Sequence, residues 1–274
     1  MTDQPGTLFE LELLGGPSER RYRKMRPEVE AMPWGTLDLT DIPPQRLVGA
    51  RKAWTSAAYQ EHRTGTACAA TLKALMEAQA PLDLIAMASR FPLDELVHVE
   101  LCARMAMELG GGTEIRYAPE RMIVDADPKR TELERAADVV VRFFCVGEAL
   151  SIPLLRGTWK AARHPLPRAV LGRIVKDEAA HGVFGYWFLD WALPQLSADS
   201  RQYLAHRANL AMDGIAQNWR RIAAAPQDVH SISDPLSWME TGAYLNLALS
   251  SMRSQVVDPL RARGIPVMDV PQIQ

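Results

Sequence analysis

The helical hydrophobic period runs through almost all of the chain after residue 43, and this feature constrains the fold more than any other. Apolar residues recur at intervals of three and four, and proline or glycine marks the ends of each stretch. The sequence therefore predicts an all-α protein. We expect helices at about 44–78, 82–109, 128–163, 165–193, 198–224 and 235–263, with Asp127 as the N-cap of the third and Ser197 as the N-cap of the fifth.

The chain divides into three parts that we expect to form a single domain. Proline and glycine punctuate residues 1–43, which we interpret as an extended N-terminal arm with short strand character in TLFELELL. The helices within 44–193 are long, amphipathic and joined by modest loops, a pattern typical of a four-helix bundle. Residues 194–274 add two helices and an extended tail.

Composition excludes several classes of protein. The 274 residues are 47% hydrophobic, enough for a sizeable core, and 31 basic against 33 acidic residues indicate no nucleic-acid or anionic-membrane partner. No apolar stretch reaches the ~18 residues that span a bilayer, and MTDQPGTLFE does not have the form of a secretory signal. Because the three cysteines form no CxxC pair, we expect reduced thiols in a cytoplasmic protein.

Two of the predicted helices carry the same motif in an apolar setting, DELVH and DEAAH. Residues three apart on an α-helix lie within about 60° of each other, so Glu95 shares a face with His98, and Glu178 with His181. A buried carboxylate needs a partner, and a metal ion suits a carboxylate and an imidazole on adjacent turns. A solvated glutamate beside a core histidine would explain one copy, whereas two copies favour a metal site.

The other two helices of the predicted bundle each place one glutamate in an apolar or small-residue stretch. Glu61 lies in EHRTGTACAA, and Glu148 lies in VVVRFFCVGEALSIPLL. The order along the chain is then Glu, ExxH, Glu, ExxH, with one contribution from each helix. The chain is therefore predicted to contain two similar half-sites that face each other. The candidate metal ligands are Glu61, Glu95, His98, Glu148, Glu178 and His181.

This ligand pattern resembles the ferritin-like superfamily of non-haem, carboxylate-bridged di-iron proteins, over about residues 45–193. The resemblance implies two iron ions, and manganese or a mixed Mn/Fe pair stays open because oxygen and nitrogen ligands separate these metals poorly. By matching positions, Glu95 and Glu178 would bridge or flank the metals. Glu61 and Glu148 would be terminal ligands, and each histidine would give one nitrogen. Four carboxylates would balance the charge of two Fe(II) ions.

An aspartate precedes the glutamate in both motifs. A helix-surface acid is the simpler interpretation of either one alone. Within the motif, however, an inward aspartate can accept the Nδ1 proton of a ligand histidine on the opposing helix and fix its tautomer. We expect the pairs Asp94 with His181 and Asp177 with His98.

Several apolar residues fall near the predicted ligand faces. Core packing is the simpler interpretation of the cysteines, since cysteine is a small hydrophobe in protein interiors. The alternative is that they help to line a cavity leading to the metals. The residues assigned to this lining are Cys68, Cys102, Cys145, Ile152, Phe184, Gly185 and Phe188.

The resemblance does not specify a reaction, because one fold hosts several activities. We expect an O2-dependent oxidase or oxygenase that acts on a C–H bond or a nitrogen of a small organic substrate. With no flavin or iron–sulfur motif in the chain, electrons would come from an external ferredoxin- or flavin-type donor. The additional helices would enclose a pocket, form a homodimer interface, or both. The alternatives are an iron-handling or peroxide-scavenging protein without an organic substrate, and a structural module whose motif survives as a core polar network.

Overall fold

The computed structural model describes residues 7–224 and 239–273, and within these ranges the regular structure is helical apart from one isolated β-bridge. The predicted all-α class is confirmed. The α-helices in these ranges are α1 (Gly16–Met25), α2 (Pro27–Glu30), α3 (Pro44–Glu77), α4 (Leu82–Glu108), α5 (Glu132–Val140), α6 (Ala149–Ala161), α7 (Pro165–Ala192), α8 (Ala198–Ala224), α9 (Thr241–Ser251) and α10 (Asp258–Ala262).

Two π-helical stretches interrupt the α-helices. The first π segment, Val141–Glu148, joins α5 to α6, and the second π segment, Met252–Val257, joins α9 to α10. The Ala149 N–H donates to the carbonyl of Phe144, five residues earlier, which is the hydrogen-bond spacing of a π-helix. Short 3-10 turns cover Pro119–Met122 and Leu193–Gln195.

Proline and glycine place most helix ends close to where the sequence predicts them. A proline occupies the first turn of both α3 and α7, where its missing N–H breaks no helical hydrogen bond. Beyond α4, Gly110 and Gly111 have φ values of 100° and 113°, a region that favours glycine. The Ser197 hydroxyl accepts a hydrogen bond from the N–H of Ser200, so Ser197 is the N-cap of α8 as predicted. The predicted start of the last helix, near residue 235, lies outside the described residues.

The third helix begins later than predicted. Thr131, not Asp127, is its N-cap: the Thr131 hydroxyl accepts from the Glu134 N–H at 3.3 Å, and the Glu134 carboxylate accepts from the Thr131 N–H at 2.9 Å. This reciprocal pair is a capping box, which satisfies two main-chain donors at once. Asp127 instead accepts from the N–H of Lys129, within the preceding loop.

The prediction of an extended N-terminal arm is wrong for α1 and α2, which are helical. Glycine and proline suggested irregular chain, but Pro17 occupies the first turn of α1, a position at which proline is tolerated. Strand character is limited to an antiparallel bridge between Leu8 and Arg116. There the Phe9 N–H donates to the carbonyl of Ile115 at 2.8 Å.

The long helical segments pack in two pairs. α3 lies along α4, and α7 lies along α6 and the first π segment. Contacts of α4 with α7, and of α3 with α5, join the pairs, while α8, α9 and the second π segment pack on the outside of the second pair. None of the helices in the described part of the chain is long and apolar enough to cross a membrane.

Buried apolar residues form two clusters, and a polar layer lies between them. On α3, Ala58 belongs to one cluster and Cys68 to the other; on α7, Ile174 and Phe184 divide in the same way. The predicted ligands on these two helices, Glu61, Glu178 and His181, occupy the intervening turns. The fold therefore places these polar groups across the middle of its core.

Candidate metal centre

The six predicted ligands come together in the polar layer. α3 supplies Glu61, α4 supplies Glu95 and His98, the first π segment ends at Glu148, and α7 supplies the other two. Their ligating atoms form two sets of four, each within 4.8 Å: Glu61, Glu95, His98 and Glu178, and Glu95, Glu148, Glu178 and His181. Glu95 and Glu178 belong to both sets. The layer can therefore hold two cations that share two carboxylates. Binding of the two cations stays a prediction.

Both histidines direct the same ring nitrogen towards the shared glutamates. His98 Nδ1 lies 3.2 Å from Glu178 Oε1 and 3.7 Å from Glu95 Oε2. His181 Nδ1 lies 3.2 Å from Glu95 Oε1 and 3.1 Å from Glu178 Oε2. Each imidazole thus contacts the glutamate of its own motif and the glutamate of the opposing helix.

The buried polar atoms of this layer fit a bound cation. Glu95, His98 and His181 have no exposed surface, and Glu178 is 2% exposed. Several of their atoms make no hydrogen bond among the described residues, although such buried atoms ordinarily have a partner. These atoms are Glu95 Oε1 and Oε2, Glu178 Oε2, His98 Nδ1, and both ring nitrogens of His181. Carboxylate oxygens and imidazole nitrogens are donors that iron and manganese accept, so the donor set matches the predicted metals.

Burial and neighbouring charges shift the pKa values of the candidate ligands. Burial, followed by the charges of neighbouring glutamates, raises the pKa of Glu61 and Glu148 well above the ordinary value. Burial lowers the pKa of the two histidines, but interactions with the nearby aspartates and glutamates outweigh it, raising the pKa of His181 to about 12 and that of His98 well above normal. Without a cation, these shifts favour the protonated forms of Glu61, Glu148 and both histidines.

In both predicted aspartate–histidine pairs the two side chains face each other across α4 and α7, but only Asp177 and His98 are within hydrogen-bond distance. Asp177 Oδ2 lies 3.3 Å from His98 Nε2, and Asp94 Oδ2 lies 3.6 Å from His181 Nε2. The predicted nitrogen is wrong, because each aspartate faces Nε2 and not Nδ1. The ExxH spacing turns Nδ1, the ring nitrogen nearer the main chain, towards the glutamates, which leaves Nε2 directed at the opposing helix.

Sequence reasoning missed two arginines behind these aspartates. Arg173 Nε donates to Asp177 Oδ2 at 2.6 Å, and Arg90 Nε donates to Asp94 Oδ1 at 3.3 Å. Each arginine stands four residues before its aspartate, so the repeated unit is RxxxDExxH and not DExxH alone. Comparing the two copies over a longer window would have revealed this. Each imidazole is therefore supported by an aspartate that an arginine holds in turn.

Aromatic rings form an apolar wall beside one histidine. The Phe91 ring centroid lies 4.2 Å from that of His181 and 5.2 Å from that of Phe184. Phe144 completes the group, at 5.0 Å from Phe184. Phe184 was predicted to line the site, whereas Phe91 and Phe144 were missed; Phe188 packs instead against Trp191, with ring centroids 5.5 Å apart.

The structure separates the three cysteines. Cys68 and Cys102 lie close enough to the glutamates that, after burial, glutamate charge further raises the pKa of both thiols. Cys145 instead lies against Gly185 and near Arg263. The π-helix has more residues per turn than an α-helix, so the position three before Glu148 is rotated away from the ligand face.

The last predicted lining residue, Ile152, packs against Gly182 of α7, where a Cβ atom would collide with the isoleucine side chain. Ile152 and Gly182 therefore bring α6 and α7 close together next to Glu148.

No family model matches the chain, and no curated protein matches it significantly. The geometry of the site is therefore what any functional proposal has to rest on.

Proposed function

We propose that this chain is a ferritin-like, non-haem di-iron protein that uses O2 to oxidise a small organic substrate. One observation supports the proposal above all: two four-residue sets share Glu95 and Glu178, with contributions from α3, α4, the first π segment and α7. The packing of α3 on α4 and of α6 on α7 is compatible with the proposed ferritin-like bundle.

Charge supports a pair of divalent cations. The four glutamates together carry four negative charges when ionised, which two divalent ions would neutralise inside a low-dielectric core. A bound pair of iron ions would supply the electron transfer to O2 that side chains of this kind do not provide. Metal analysis of the purified protein would distinguish iron from manganese or a mixed pair.

The surrounding side chains would orient the ligands and exclude water. Asp177, in hydrogen-bond contact with His98 Nε2, would fix which ring nitrogen of that histidine faces the glutamates, and Asp94 faces His181 Nε2 at a longer distance. Phe91 and Phe184 cover one side of the layer, and such a dry wall limits side reactions of an oxidising centre. Glu61 is the most exposed of the six predicted ligands, so we propose that the substrate approaches from its side.

The test is an anaerobic Fe(II) titration followed by rapid mixing with O2 under optical and Mössbauer observation. We expect saturation at two irons per chain, oxidation of both irons together, and retention of the ferric pair. Glu178→Ala should abolish binding of the pair, whereas Glu132→Ala, in the first turn of α5 and remote from the layer, should not. A failure to saturate at two irons would contradict the proposal, and continued build-up of ferric iron would favour iron handling.

A further inference from the structure

Helices α1 and α2 form an N-terminal segment, residues 16–30, that packs on α4 just outside His98. Arg26 is fully buried, and its Nη2 donates to Glu100 Oε1 at 2.6 Å. The Tyr22 hydroxyl donates to the carbonyl of Leu96 at 3.4 Å. Both acceptors lie within two residues of His98 on α4, so the segment covers one end of the candidate centre.

A chain of polar contacts leads from this segment to the candidate ligand. Glu28 of α2 forms an ion pair with Arg173. Arg173 Nε donates to Asp177 Oδ2 at 2.6 Å, and the same oxygen lies 3.3 Å from His98 Nε2. The Arg173 side chain is only 12% exposed, and Asp177 and His98 are more deeply buried. We name Glu28, Arg173 and Asp177 the arm relay.

The opposite half of the centre has the same motif without this support. Arg90 Nε lies 3.2 Å from Asp94 Oδ2, yet the Arg90 side chain is 68% exposed. Asp94 in turn lies 3.6 Å from His181, a longer separation than the one between Asp177 and His98. The two half-sites therefore share the RxxxDExxH motif, but Asp177 is held more firmly than Asp94.

We propose that Glu28 and Arg173 are positioning residues that strengthen the metal position built on His98, so that this position fills first. The inference rests on the proposed metal centre and adds an order of filling to it. An arginine fixed by a carboxylate on each side is pre-organised, so less freedom is lost when it holds Asp177 against the histidine. The N-terminal segment is thereby coupled to one metal position and not to the other.

The test measures stepwise binding of Mn(II) to the metal-free full chain by electron paramagnetic resonance, which distinguishes a lone ion from a coupled pair. In Glu28→Gln, the first dissociation constant should rise by about two- to fivefold, as expected for one partly exposed ion pair, with the second unchanged. In Arg173→Gln, the first dissociation constant should rise by about tenfold or more. In Arg90→Gln, the second dissociation constant should rise instead.

Glu19→Gln is the matched control, because Glu19 pairs with Arg23 within α1 and touches no member of the arm relay. Both constants should equal those of the unaltered protein. Two results would overturn the inference. The first is that Glu28→Gln leaves both dissociation constants unchanged. The second is that Glu28→Gln and Glu19→Gln raise both dissociation constants equally, which would show that the N-terminal segment merely stabilises the fold. An unaltered protein that binds no Mn(II) or Fe(II) would instead remove the proposed function itself.

Discussion

The hydroxyl of Tyr186 donates a hydrogen bond to the main-chain carbonyl of Cys145 at 3.2 Å, and this contact joins α7 to the first π segment three residues before Glu148. The same hydroxyl contacts the carbonyl of Gln255 in the second π segment. One side chain therefore links both π-helical stretches to the helix that carries Glu178.

Replacing Tyr186 by phenylalanine should loosen this link. The two carbonyls lose a partly buried hydroxyl donor, so we expect the free energy of unfolding to fall by roughly 0.5–1.5 kcal/mol. We also expect weaker Mn(II) binding, because the segment that ends at Glu148 is less firmly held. Urea unfolding and a metal titration would measure the two effects. Tyr203→Phe is the control: its hydroxyl lies 3.5 Å from Asp138, outside the centre, and metal affinity should not change. Equal affinities in both variants would contradict the role given to Tyr186.

Gly185→Ala should push the first π segment away from α7. A Cβ atom at this position would lie 2.7 Å from Cys145 Sγ and 3.0 Å from the Cys145 main-chain nitrogen, so the main chain itself would have to shift. Overpacking of this kind costs about 1–3 kcal/mol of stability, and the shift would carry Glu148 with it. Thermal unfolding and metal binding should both be impaired.

Gly214→Ala provides the matched comparison for that substitution. Gly214 lies within α8, and no other segment of the described residues has an atom within 4 Å of an added Cβ. Alanine there should stabilise the protein by roughly 0.5–1 kcal/mol through helix propensity alone. If Gly185→Ala is as stable as the unaltered protein and binds metal normally, the first π segment tolerates displacement and the prediction for Gly185 is wrong.

The sequence was sufficient to predict most of the helical chain after residue 43 and the six residues that come together in the polar layer. Helix ends such as Pro44 are set by the missing N–H of proline, which acts locally. The motif residues Glu95 and Glu178 repeat in register, and a helix converts a spacing of three directly into a shared face. Local rules of this kind need no knowledge of the tertiary structure.

The features that could not be predicted depend on contacts between distant segments. The first π segment belongs to a run whose apolar residues fit an α-helix equally well, and its wider turn shows only in how it packs on α7. Glu28 and Arg173 are 145 residues apart in sequence, and nothing in the N-terminal segment indicates its partner. The orientation of each imidazole likewise depends on the opposing helix.

Metal binding should release protons. The raised pKa values of Glu61, Glu148, His98 and His181 favour the protonated form of all four groups in the metal-free protein, whereas a ligand must be deprotonated. We therefore expect about four protons to leave as two divalent cations enter, an exchange that conserves the charge of the core. Titration calorimetry in buffers of different ionisation enthalpy measures this number. Release of fewer than about two protons would show that the metal-free layer is already ionised.

Metal-free and metal-loaded protein should respond to pH in opposite directions. The folded metal-free chain binds extra protons at Glu61 and Glu148 above their ordinary pKa of 4.5, and at His98 and His181 above 6.5. A pKa raised by folding contributes stability that is complete below the unfolded value and is lost as the pH rises towards the folded value. His62, whose pKa burial lowers, acts in the opposite sense, but it is one group against four.

The urea midpoint of the metal-free protein should therefore fall between pH 5.5 and pH 8. With saturating Mn(II), the midpoint should rise over the same range, because cations replace the protons and bind more tightly as competition weakens. Glu61→Gln and Glu148→Gln cannot ionise, so together they should flatten the metal-free pH dependence between their ordinary pKa of 4.5 and that of the histidines, 6.5. A metal-free midpoint that rises with pH would mean that the four groups are not protonated in the folded chain.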